Sequence, residues 1–403
     1  MSAIQRPPAA EVRQLSPWRF VVAFGVVAML ADVVYEGARS VAGPFLASLG
    51  ATAVVVGLVT GAGEAAALGL RLVTGPLADR TGRPWRWTVA GYALTVVTVP
   101  LLALGGPLWT ASALLIGERT GKAVRSPAKD SLLAGASTGI GRGRAFGVHE
   151  ALDQIGAFAG PLLVAAAIAM TGGFRAGFAV LAVPGAAVLL TLAWLVRRVP
   201  DPSGYEGVAP GSVPAVTGRR LPAAFWTYAA FTALTMVAFP TFGLLGYHLA
   251  ARHLVPAAAV PLVYALAMAV DALAALAIGH LYDRYGRRVL VVLPVLVAAV
   301  PPLAFAGSLP AVMAGAVVWG VALGVQESTM RAVVAELVPA ARRGTAYGVF
   351  GAVYGLAWFA GGAALGVSYD RSVPVMVGAV AVVQVAALVL LLATTRRHRA
   401  EHR

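Results

Sequence analysis

The chain has 403 residues, 59% of them hydrophobic and only 12% charged, with a mean hydropathy of +0.80. A soluble domain carries roughly twice that charge fraction, and a disordered chain needs few apolar residues and many charges, so both classes are excluded. The net charge of +14 suits a nucleic acid or a membrane surface, and the 31 basic residues sit in short gaps between long apolar runs, which selects the membrane and excludes a nucleic-acid binder.

A bilayer-spanning helix needs about 20 mostly apolar residues. Twelve such spans are predicted, at 18–40, 51–73, 86–104, 108–134, 144–170, 174–196, 222–248, 257–280, 288–306, 309–335, 345–367 and 373–394. The longest gap, 197–221, is rich in Pro and Gly and reads as a linker between an N-terminal bundle, 1–196, and a C-terminal bundle, 222–403. The fold class expected is therefore an all-α integral membrane protein with two six-helix bundles. The first run is too long for a signal-peptide core and is expected to stay as an anchor. With the N-terminus inside, 22 basic residues fall on the cytoplasmic side and four (Arg39, Arg175, Arg252 and Arg371) on the other. That bias predicts a plasma-membrane protein with both termini in the cytoplasm and a linker there too.

Span 1 carries Asp32, Glu36 and Arg39 on one helical face, and span 2 carries Glu64 and Arg71. The loop after span 2 holds Gly75, Asp79, Arg80, Gly82 and Arg83 in the pattern G-x-L-x-D-R-x-G-R. Glu118, Lys122 and Arg125 share a face of span 4; Arg119 is turned by about 100° from Glu118 and has Leu115, Lys122 and Ser126 as neighbours on its own face. Span 5 carries Glu150 and Asp153 and the small-residue series Gly147, Gly156, Gly160 and Pro161, which favours close helix approach and a bend. Spans 4 and 5 form a hairpin, so Lys122 or Arg125 is placed to reach Glu150 or Asp153. The loop after span 8 repeats the earlier pattern with Gly279, Asp283, Arg284, Gly286 and Arg287, 204 residues on. A second echo, Arg144 to Gly147 against Thr345 to Gly348, is offset by 201. Two echoes at nearly one spacing indicate a duplicated six-helix unit, with a site between the copies. Arg83 and Arg287 need anionic partners, and Asp130 and Glu336 stand at the inner ends of spans 4 and 10. The second half otherwise has Asp271, Glu327 and Arg331 as its intramembrane charges.

The duplicated loop motif resembles motif A of the major facilitator superfamily, over essentially the whole chain. The span 5 glycines resemble motif C of its drug/proton antiporters, although Val164 and Ala165 stand where that motif ends in a Gly pair. Leu115, Arg119 and Lys122 resemble its motif B, in which the Arg takes part in proton transfer. The resemblance implies a carrier working by alternating access, with spans 1, 4, 7 and 10 lining the cavity. It implies that Asp79 meets the start of span 11 near Gly344, and Asp283 the start of span 5 near Gly143, as a latch at the inner gate.

An ionisable group at bilayer depth is a functional candidate by default. Asp32 is the expected proton site, with Glu36 second, Arg119 as the coupling cation, and Asp153 or Asp271 next. The intramembrane set has eight acids and six bases, which leans toward protons and neutral or cationic cargo. Tyr35, Arg125, Trp226, Phe239, Glu327 and Trp358 are expected on the substrate wall. The function expected is proton-coupled efflux of a lipophilic or cationic small molecule by a monomer. A proton symporter importing a metabolite and a lipid-handling membrane protein are the alternatives. The chain has no cysteine, no phosphate-binding G-x4-GK-[ST] loop and no metal-ligand spacing among its six histidines. No enzyme activity, cofactor or metal is expected.

Overall fold

The computed structural model describes residues 15–137, 140–201, 221–339 and 342–401. Most of the 197–221 linker lies outside the described residues, as do Arg6, Arg13, Arg219, Arg220 and Arg403. Every regular element among the described residues is helical. The first half contains α1 (Pro17–Ser48), α2 (Ala53–Gly69), α3 (Arg71–Thr81), α4 (Pro84–Leu101), α5 (Leu108–Ala136), α6 (Arg142–Thr171), α7 (Phe174–Val180) and α8 (Ala182–Arg198). The second contains α9 (Ala223–Val237), α10 (Phe242–Ala251), α11 (Val260–Tyr285), α12 (Val292–Ala304), α13 (Leu309–Leu337), α14 (Arg343–Arg371) and α15 (Val373–Glu401).

Among the described residues, ten stretches are long and apolar enough to cross a membrane, against twelve predicted. The difference has two sources. Ala257–Ala304 forms one stretch of 48 residues that covers two predicted spans and is turned in its middle by a 3-10 segment, Gly286–Val291. Helix α5 is long enough but carries six charged residues, from Glu118 to Asp130.

The two halves meet along α2 against α14, α1 against α10, and α6 against α11. Glycine permits this approach at the end far from the termini. A Cβ on Gly57 would overlap the Gly362 carbonyl oxygen, one on Gly362 the Gly57 oxygen, and one on Gly43 the Gly243 oxygen. Thr60 and Thr241 share a hydroxyl hydrogen bond of 2.8 Å across the same seam, and the Val54 amide donates to Asp370 at 3.4 Å. At the terminal end, a Cβ on Gly143, Gly147, Gly279 or Gly344 would meet no described atom within 4 Å. The halves are in close backbone contact at the far end.

The seventh predicted span is broken between α9 and α10. The chain leaves the helix at Ala238 and resumes at Phe242, around Pro240, which has no amide hydrogen. Carbonyls freed at bilayer depth must find donors inside the protein. Trp319 Nε1 donates to Pro240 and Trp358 Nε1 to Phe239, each at 2.8 Å, and Gln384 Nε2 donates to Thr235 at 3.1 Å. Phe239 stacks on Trp319 with centroids 5.7 Å apart. The placement of Phe239 and Trp358 on a substrate wall is corrected here: they are 0% and 3% exposed and close the break from within. Trp319→Phe keeps the stacking and removes the donor. The expected result is a loss of about 1–3 kcal/mol, the range for orphaning a buried acceptor, read as a lower thermal midpoint.

Candidate functional site

The deepest charged cluster lies where α1, α2 and α5 converge. Glu64 of α2 receives Arg39 at 2.9 Å and Arg119 at 2.7 Å, while Arg39 also reaches Glu36 at 3.5 Å. All three helices belong to the first half, but the second half joins through Tyr264 of α11, whose hydroxyl donates to Glu36. Glu36, Glu64 and Arg119 are each at least 92% buried. Two carboxylates facing two guanidiniums leave the cluster neutral, the condition for keeping ions at such depth. Beside it is a small cavity of about 40 Å³ lined by Arg39, Thr60, Glu64, Glu118, Arg119 and Thr241. Glu118 Oε1 and Arg119 Nε and Nη1 have no hydrogen-bond partner there.

The pairing differs from the expected one. Arg119 is committed to Glu64, not to Asp32, which is buried without an ion pair among the described residues. Packing explains this: Arg119 lies against α2, where Gly63 leaves room for its side chain. Lys122 and Arg125 do not reach Glu150 or Asp153 either. Lys122 donates to the Tyr35 hydroxyl at 3.3 Å and lies 4.6 Å above its ring. Arg125 donates to Thr95 at 2.9 Å and sits between the rings of Tyr35 and Tyr92, at 5.4 and 4.7 Å. Tyr35 thus gathers cations through its ring face. Asp153 instead lies 3.4 Å from His149 and 4.0 Å from Lys129.

In the second half, Asp271 of α11 is 1% exposed and neither carboxylate oxygen has a hydrogen-bond partner. Glu327 of α13 is exposed. Trp226 lies on the exposed stripe of α9 with Ala223 and Ala230, a usual position for a membrane-facing Trp rather than a cavity wall.

Both repeated loops turn on a glycine of positive φ, but the turns differ: Gly82 is αL at φ 57° and ψ 25°, whereas Gly286 has φ 60° and ψ −149° and opens the 3-10 segment. Arg287 pairs with Glu336 at 3.3 Å, and Tyr282 donates to the same carboxylate at 2.6 Å. The first half does not repeat this. Arg83 and Asp79 have no ion pair among the described residues, and Asp130 lies 4.0 Å from Lys129. Asp79, Arg80, Asp283 and Arg284 are exposed. Gly75 packs beside Pro127. Of the span 5 series, Gly156 and Gly160 let α6 touch the α1 backbone at Met29 and Val33, Gly160 directly preceding the in-helix Pro161, whereas Gly147 meets no described atom within 4 Å.

Sequence reading missed Arg39, Glu64 and Tyr264 as one assembly. The i, i+3 spacing of Glu36 and Arg39 signalled half of it, whereas a phenol donor from the other half had no signal.

A family model for the Major Facilitator Superfamily matches residues 24–362 and 230–403. The chain is 57% identical over 382 residues to the uncharacterized protein Rv2265 of Mycobacterium tuberculosis, covering 94% of this chain and 93% of that one. It is equally similar to the uncharacterized protein Mb2288 of Mycobacterium bovis. Among solved structures it resembles a mutant of the nucleoside transporter NupG with a TM-score of 0.75 at 14% identity, covering 93% of this chain and 99% of that one. It also resembles an inward-facing, occupied bacterial homolog of the human lysosomal transporter Spinster, with a TM-score of 0.69 at 16% identity, covering 94% and 95%.

Proposed function

Because the chain belongs to the Major Facilitator Superfamily, and is thus a multi-pass membrane transporter and not an enzyme, we propose that it exports a lipophilic or cationic small molecule in exchange for protons. The two halves, 1–196 and 222–403, rock about the cavity between them, and each chain works as a monomer. Both termini face the cytoplasm from the plasma membrane, so the far end is the outward one. When the opposite end shuts, Asp79 and Asp283 close onto the positive N-termini of α14 and α6.

The observation that carries the coupling is the contact of Tyr264 with Glu36. Glu36 belongs to the neutral ion cluster of one half and holds a donor from the other. A proton arriving from outside removes its charge, weakens its hold on Arg39 and loosens the seam; release to the cytoplasm restores both. Glu36 therefore takes precedence over Asp32 as the proton site, with Asp32 one helical turn away on the same face as its relay. Arg119 acts through Glu64.

The test uses proteoliposomes loaded with a pH-sensitive dye and given ethidium as the cationic probe. Wild-type protein should move protons opposite to ethidium, while Glu36→Gln should bind ethidium and move none. Proton movement in the same direction as the probe would instead establish symport. A Glu36→Gln protein that still concentrates ethidium at the wild-type rate would refute the assignment.

A further inference from the structure

The cavity beside the ion cluster has one charged group in its wall that no counter-charge meets. Arg39, Glu64, Glu118 and Arg119 of the first half line it, together with Thr241 of the second. Arg39 and Arg119 both pair with Glu64, and Arg39 also with Glu36. Glu118 is 4% exposed and makes no ion pair or side-chain hydrogen bond among the described residues, and its Oε1 is buried without a partner. Lys122 and Arg125 share its helix face but are taken up elsewhere, by Tyr35 and Thr95. Asp32 and Asp271 are also buried without ion pairs among the described residues, but neither lines this cavity. The volume of about 40 Å³ has room for about three water molecules.

An ionised carboxylate at bilayer depth is retained where water or a positive partner meets it. Both guanidiniums in the wall are committed to Glu64, so the positive partner of Glu118 comes from outside the chain. We infer that Glu118 is the recognition carboxylate for the cationic group of the cargo, and that this group is a protonated amine bearing N–H bonds. This rests on the reading of the chain as an exporter of cationic compounds. Two properties of the cavity set the class. Glu118 Oε1 is an acceptor and needs a donor, which a fully substituted ammonium lacks. About three water-sized positions take the nitrogen, the carbon attached to it and one water, whereas a nitrogen carrying four carbons overfills them. That water meets the free N–H groups of Arg119, at Nε and Nη1. Val59 and Leu115 give the attached carbon an apolar wall. Ethidium meets the N–H requirement through its two amino groups. Thr241, bonded to Thr60 across the seam, brings the second half to the same cavity. An amine held there touches both halves and so has differential affinity for the form in which they are in contact.

The test is a thermal-stabilisation titration of the purified full-length protein in detergent. The probes are phenethylamine, its N,N,N-trimethyl derivative and 2-phenylethanol, which share one body and carry a cation with N–H bonds, a cation without them, or no charge. Wild-type protein should bind phenethylamine about tenfold more tightly than either of the others, the effect of one hydrogen bond to a charged group. Glu118→Gln should lose that preference. Glu118→Asp, whose carboxylate is set back by one methylene, should keep the order with a smaller margin. Phenethylamine bound no more tightly than the trimethyl derivative or the alcohol by wild-type protein, binding of none of the three, or the wild-type preference surviving in Glu118→Gln overturns the inference. Where Glu118→Gln does not fold, Glu118→Asp decides, and the full wild-type margin there overturns the inference. No proton gradient enters the titration, so its failure leaves proton-coupled export standing. Absence of proton movement in the vesicle assay would leave the order of the three probes untouched.

Discussion

Glu64→Gln is expected to abolish transport and to lower stability by about 3–5 kcal/mol, the range for removing one partner of a buried ion pair. Glu64 is the one carboxylate paired with Arg119 among the described residues, and it is shared with Arg39 at 2.9 Å. The amide of Gln accepts a hydrogen bond from one guanidinium but balances the charge of neither. Arg119 is the more affected, since its Nε and Nη1 are already without partners. Glu64→Asp keeps the charge on a shorter arm and should recover part of the stability. The measurement is a thermal unfolding curve beside gradient-driven uptake. A Glu64→Gln protein within about 0.5 kcal/mol of wild type, the span of ordinary surface substitutions, would show that the cluster does not hold α1, α2 and α5 together.

Gly57→Val is expected to cut transport at least tenfold by preventing closure of the far end. A side chain there meets the Gly362 carbonyl, a backbone atom with no rotamer to change. Overpacking of this kind costs about 1–3 kcal/mol, and it applies only while the seam is shut. It therefore shifts the balance of conformations by up to about a hundredfold, since every 1.4 kcal/mol or so is a factor of ten. The chain has no cysteine, so a single cysteine placed at Thr60 reports directly. In Gly57→Val it should react readily with a membrane-impermeant maleimide added from outside, while in the Gly57 parent it should stay protected. Unchanged labelling together with unchanged transport would count against the seam as the outer gate.

The helical rods were legible because a bilayer demands long apolar runs, which leave a signal in the sequence that no tertiary contact can override. The echo of Asp79 and Gly82 in Asp283 and Gly286 was legible for a similar reason: each copy needs a glycine where φ is positive, although the two turns then differ in ψ. Ion partners were harder. Helical phase gives the face a residue occupies but not the rotation of the neighbouring helix, so Arg119 could be assigned a direction and still be matched with Asp32 instead of Glu64. The break at Ala238 to Thr241 was hidden for another reason. Pro240 looks no different in sequence from Pro44, Pro127 and Pro161, which lie inside continuous helices. What distinguishes it is a pair of indole donors contributed by residues 79 and 119 positions further along the chain.

The six charges of α5 also bear on how the protein is made. On the insertion scale each Arg, Lys or Asp near a helix centre opposes entry into lipid by roughly 2.5–3.5 kcal/mol. Several together exceed what the Leu, Ile and Val of one segment return, at about 0.3–0.6 kcal/mol each. Helix α5 therefore cannot partition into the bilayer from the ribosome-bound channel by itself. Chain order supplies the remedy: Glu64, the partner of Arg119, emerges 55 residues earlier and is already in place. Asp153, the partner of Lys129, follows 24 residues later on α6. The expected consequence is that α5 enters lipid packed against α4 and α2, which precede it in the chain, so that helices of the first half enter the membrane as a group and not one at a time.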